Sequence, residues 1–167
     1  MAGLSLSYAQ ISTPSASPSC KIEQKVGLTD VTIEYSRPSV KDRVIFANDG
    51  LVSYNKLWRT GANAATKWTF SDDVKLGGQK VAAGSYAVLS IPRETGEWTF
   101  NLYNYEKSSW SSYKEKSPNV VFSAKAQTLP IAIESMLFFV ENLRDNSASI
   151  ELIWSNINVS ILSLIHI

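Results

Sequence analysis

Apolar and polar positions alternate strictly in several stretches of this chain. In residues 31–35, Val31, Ile33 and Tyr35 fall on one side and Thr32 and Glu34 on the other, the period of a half-buried strand. Residues 21–26 predict an edge strand ahead of it, joined by a turn at 27–30, and Pro38 stops the pair. From Ala65 the alternation resumes, with Thr66, Trp68 and Phe70 opposed to Lys67 and Thr69. Gly77-Gly78, between 74–76 and 79–81, predicts a tight hairpin, because a two-residue turn demands positive φ. Further strands are expected at 85–91, ended by Pro92, and at 98–103, 120–126, 131–143 and 149–154. In 131–143, Met136, Phe138 and Val140 share one face and Leu137 and Phe139 the other, so this strand is expected to be covered on both sides. An amphipathic helix is the competing reading there, with Glu134, Glu141 and Asn142 on one side. Residues 107–118 read as a polar excursion carrying two aromatics, Trp110 and Tyr113, expected to be exposed. About eight or nine short strands, with turn signals roughly every eight to twelve residues, predict a single all-β antiparallel sandwich, jelly-roll or Ig-like.

One stretch breaks the pattern. Residues 51–58 are compatible with one or two helical turns, and residues 58–63 (WRTGAN) fit neither period and read as a shaped loop. The Arg59 guanidinium offers five donors in a planar fork suited to a carboxylate, phosphate or sugar hydroxyls. With Asn63, Arg37 and Tyr54 it would line an anion or sugar site, and Trp58 would form an aromatic wall. The opposing reading pairs Arg59 with an acid such as Asp42 or Asp73, so that it satisfies loop carbonyls and locks an irregular segment.

Composition narrows the function classes. A length of 167 residues with 44% hydrophobic and 19% charged positions fits one folded domain. Sixteen basic against fifteen acidic residues make no electrostatic case for nucleic acid. No apolar run reaches the roughly eighteen residues of a membrane-spanning helix. The single cysteine, Cys20, lies in a Ser/Pro-rich segment and can form neither an intrachain disulfide nor a cysteine metal cluster. Asp72-Asp73 offers hard oxygen ligands but reads first as a solvated turn. Neither a metal nor a redox or nucleotide cofactor is expected.

The ends are read separately. Gly3 to Ala9 has the look of the tail of a secretory signal, with cleavage after Ala9, although a basic start and a long apolar middle are missing. Residues 11–19 (ISTPSASPS) form a linker too polar and Pro-broken to pack. Residues 162–167 (LSLIHI) read like a translated library adapter, which would make His166, the only histidine, non-native. His-dependent catalysis then has no material. The expected division is 1–20 signal remnant and linker, 21–161 β-sandwich, and 162–167 non-native tail.

Residues 29–43 (TDVTIEYSRPSVKDR), the WRTGAN core within 51–66, Ala83-Gly84-Ser85-Tyr86 followed by Ile91-Pro92, and Glu141-Asn142-Leu143 ahead of Trp154 resemble the domain of unknown function 2911 family. The likeness covers about residues 20 to 160. It implies a β-rich protein of Bacteroidetes-type bacteria, exported to the periplasm or cell surface, and implies no activity. The family usually has Gly where Asp42 stands, Pro-Tyr-Gly where Ser53-Tyr54-Asn55 stands, and an acidic residue where Ala64 stands. The last departure removes a carboxylate beside Asn63. The leading expectation is a non-catalytic module for a small polar or saccharide ligand at the WRTGAN loop. An envelope scaffold or interaction protein and a small carboxylate-dependent hydrolase are the alternatives.

Overall fold

A computed structural model of the chain describes residues 13–165. The leader-like start, with its expected cleavage after Ala9, and His166 lie outside the described residues. Eleven strands occur in the order β1 (Ser19–Val26), β2 (Thr29–Ser36), β3 (Phe46–Ala47), β4 (Val52–Ser53), β5 (Thr66–Phe70), β6 (Val74–Leu76), β7 (Gln79–Val81), β8 (Gly84–Ile91), β9 (Glu97–Asn104), β10 (Val120–Glu141) and β11 (Ser147–Ile165). Nine of them form one antiparallel sheet, ordered β1-β2-β5-β8-β9-β10-β11-β6-β7, while β3 and β4 make a separate parallel pair. No α-helix is present among the described residues; one 3-10 turn spans Trp110–Tyr113. Period-two patterning therefore translated directly into structure: Val31, Ile33 and Tyr35 on β2 and Trp68 and Phe70 on β5 are all buried.

The single sheet becomes two-layered because β10 bends. Its first half pairs with β9, ending at Lys125↔Glu97, and its second half pairs with the start of β11. Between them Thr128 pairs with Ile157 and Ile133 with Ser155, so residues 129–132 bulge opposite Asn156 alone. A second register shift follows between Ile133 and Leu137, and Ser155 adopts a positive φ of 53°. Folding over brings Phe138 edge-on to Tyr35 at 4.9 Å and to Trp68 at 5.9 Å, although β10 neighbours neither β2 nor β5 in the sheet. The Tyr35 hydroxyl accepts the Phe138 N–H at 3.0 Å, closing the two layers with a buried bond.

Several expectations need correction. The strands expected at 120–126 and 131–143 are one strand, because the bulge absorbs Pro130 without ending the ladder. The helical alternative for 131–143 fails: Met136 and Phe138 are buried on one face while Leu137 and Phe139 are half-buried on the other. The strand expected at 149–154 runs on to Ile165, and residues 163–165 pair with β6. Tyr113 is fully buried rather than exposed, since its hydroxyl accepts the N–H groups of Glu106 and Lys107 at 3.0 and 2.9 Å and donates to the Lys107 carbonyl at 2.7 Å. The 107–118 excursion thereby covers β8 and β9 and, through Tyr113, builds a second small core with Ala87, Leu89 and Tyr103.

Candidate functional site

Residues 51–58 are not helical, because their backbone is committed elsewhere. Leu51 and Val52 donate to the carbonyls of Val44 and Ile45, Asn55 to Pro92, and Trp58 exchanges two bonds with Ser90 on β8 at 2.7 and 2.8 Å. Donors that point to partners outside the segment are lost to an i to i−4 ladder. Within 58–63 the left-handed positions are Thr60 (φ 54°) and Asn63 (φ 56°), not Gly61. Gly61 is needed for space: a Cβ there would lie 2.8 Å from the Thr66 hydroxyl. That hydroxyl donates to the Thr60 carbonyl at 2.9 Å, and the Thr60 hydroxyl donates to Ser90 Oγ at 2.9 Å. A β-branched residue held at positive φ is strained, and such strain persists only where the surroundings over-determine it.

This loop opens onto a cavity of about 410 Å³ between the two cores. Its floor is aromatic: Trp58 stacks on the buried Trp154 with centroids 6.0 Å apart and planes at 20°. The Trp58 indole N–H donates to the Gly61 carbonyl at 3.2 Å, which fixes the ring against its own loop. Leu57 and Trp110 form a wall from the side of the second core. Among the described residues, Arg43, Lys56 and Arg59 line the cavity as cations and no carboxylate does.

Arg59 is half-buried, with its guanidinium carbon 5.6 Å from the Trp110 ring centroid. Lys114 brings a second cation to the same ring at 4.2 Å. Among the described residues Arg59 has neither an ion pair nor a hydrogen-bonded side-chain partner; the expected pairings with Asp42 or Asp73 do not form. Asp73 instead accepts the Ala83 N–H at 2.8 Å, and Asp72 accepts the Ser71 hydroxyl at 2.7 Å, so this pair of acids shapes turns. No metal-binding cluster of His, Cys, Asp and Glu occurs among the described residues.

Of the five residues singled out in the sequence, the structure brings three together. Trp58, Arg59 and Asn63 all line the cavity. The Asn63 side chain donates to the Ser17 carbonyl at 3.0 Å, so it holds the segment before β1 against the loop, and Ser17 joins the lining. The residues expected to be a non-packing linker are therefore docked at 15–18, helped by the Arg37 N–H bonded to the Pro18 carbonyl at 2.9 Å. Arg37 lies outside the lining; its side chain donates to the Met136 carbonyl at 2.9 Å and ties the end of β2 to β10. Tyr54 also lies outside it, half-buried, with its hydroxyl pKa pushed up by burial and then by the charge of Glu94. Sequence reading missed Arg43, Lys56 and Trp154 as lining residues, since no motif or period links them to the loop. Trp110 was visible only as an aromatic in a polar stretch.

A second cavity of about 340 Å³ lies near Cys20, Tyr35, Lys67 and Tyr105. Its charges are matched: Lys67 pairs with Glu34 at 2.9 Å and lies 5.1 Å from the Tyr105 ring centroid. Burial above all, with Cys20 beside it, pushes the Tyr35 hydroxyl up to about 12.

A family model described as Protein of unknown function (DUF2911) matches residues 17–162. No curated protein and no solved structure matches the chain.

Proposed function

The chain belongs to the DUF2911 family, and from the geometry of its irregular loop we propose that it is a non-catalytic module binding a small polar or saccharide ligand. The observation that carries this reading is the half-buried Arg59, which has no carboxylate partner among the described residues and faces a cavity floored by Trp58 on Trp154. A guanidinium that merely locked a loop would be bonded to that loop's carbonyls, and those of Thr60 and Gly61 are taken by Thr66 and Trp58. The cavity volume, about 410 Å³, falls within the roughly 300–1,000 Å³ typical of small-molecule sites. Asn63 contributes less directly, by fixing residues 15–18 at the rim.

The test is a saturation-transfer NMR screen of the protein against neutral and acidic monosaccharides and small polar metabolites, with tryptophan fluorescence as a second readout. Arg59→Ala and Asn63→Ala are expected to stay folded by circular dichroism while signals from the bound compound vanish or weaken. Unfolding of both variants would return Arg59 and Asn63 to a scaffold role and remove this reading.

A further inference from the structure

We infer that the ligand of this cavity is an anion, and specifically a sugar that carries a carboxylate. The inference rests on the binding reading above and adds the chemistry of what is bound. The chain as a whole is nearly neutral, with sixteen basic and fifteen acidic residues, yet among the described residues the cavity gathers Arg43, Lys56 and Arg59 and no acid. Lys114 adds a further cation on the Trp110 ring. Elsewhere the protein does match its charges. The ion pairs of the described residues join Lys21 to Glu23, Lys25 to Asp30, Lys67 to Glu34 and Lys116 to Glu106, and none reaches the cavity. Like charges gathered without counter-charges in a concave site repel one another and focus a positive potential there, and an anionic guest relieves that repulsion.

The three cations are not equivalent. Arg43 donates from Nε and Nη2 to the carbonyls of Val40 and Ser39 at 3.0 and 2.6 Å, so its position is set while its charge stays unmatched. Arg59 rests on Trp110, an arrangement that orders a guanidinium by cation–π attraction yet leaves its in-plane donors unused. That free planar fork suits the two oxygens of a carboxylate. Two cations already occupy the neighbourhood of the Trp110 ring, so stacking of a sugar falls to Trp58 and Leu57. Ser17, Ser53 and Asn63 supply the neutral polar groups that ring hydroxyls require. A bare inorganic anion would use the cations and leave the apolar floor unused.

Isothermal titration of the full chain with D-galacturonate, D-galactose, methyl galacturonate and citrate separates the possibilities. Galacturonate is expected to bind at least about tenfold tighter than galactose or the uncharged methyl ester, the usual scale of a hydrogen-bonded charge contact. Its affinity should fall as sodium chloride rises, because part of the attraction is screened. Arg59→Gln is expected to reduce galacturonate to the level of galactose, and Lys56→Gln, at an exposed position, to produce a smaller loss. Equal affinities for galacturonate and galactose would overturn the charge inference and leave the binding reading standing. Citrate binding without galacturonate binding would overturn the saccharide class. If none of the four binds, this inference falls. Failure of the binding reading itself would show separately, in the unfolding of Arg59→Ala and Asn63→Ala.

Discussion

Two cavities among the described residues, one lined in part by Asn63 and the other by Ala64 and Ala65, differ chiefly in how their charges are handled. Around Cys20 and Tyr35, Lys67 meets Glu34 at 2.9 Å, and the Tyr35 hydroxyl is held by the Phe138 N–H. Around Trp58 and Arg59, three cations face a common space with no carboxylate in its lining among the described residues. Fold stability alone explains the first arrangement, since Lys67, Glu34 and the Tyr35 hydroxyl each gain a partner there. It does not explain the second, in which Thr60 is strained and Arg59 stays unpaired within one loop. Unmatched charge and backbone strain in the same segment are the two features on which the proposed recognition role rests.

The largest expected effect tests whether the Trp58–Arg59 cavity shares its floor with the core. Trp154→Ala removes a side chain only 1% exposed from beneath Trp58, and should cost about 3–5 kcal/mol in urea unfolding, the range for large aromatic truncations. A loss below about 1 kcal/mol would show that the floor is separable from the fold.

Tyr35→Phe sharpens the contrast from the other cavity. It leaves the buried Phe138 N–H without an acceptor and should cost about 1–3 kcal/mol near neutral pH. The parent protein also carries a pH signature. Tyr35 titrates at about 12 in the folded state against an ordinary 10.0, so the unfolded chain releases its proton first. Its contribution is fully present below pH 10 and is lost as pH rises from 10 towards about 12. Chemical denaturation across that range should show stability falling, with a shallower fall in Tyr35→Phe; identical slopes would contradict the assignment.

The smallest effect separates a matched lysine from an unmatched one. Lys67→Met breaks the partly exposed pair with Glu34 and should cost about 0.5 kcal/mol, whereas Lys56→Met should cost nothing or stabilise slightly by relieving repulsion. Parallel thermal melts read the difference, and equal losses in the two variants would erase the distinction between the cavities.

Local chemistry along the chain was enough to specify most strands of the sheet, the Gly77-Gly78 hairpin and the shared face of Trp68 and Phe70, because side-chain period and turn residues act over a few positions. The irregularity of residues 58–63, and Trp58, Arg59 and Asn63 as companions, were legible for the same reason. Three-dimensional packing settled the rest. It fused two strands across Pro130, buried Tyr113, sent Arg37 to a carbonyl on β10, and drew Arg43, Lys56, Trp110 and Trp154 around the loop. Arg43, Trp110 and Trp154 come from other segments of the chain, and nothing in a linear pattern encodes which strands a bent sheet will lay over one another. The unmatched charge of the cavity is a property of that assembly, since only in the folded chain does it emerge which cations are left without an acid.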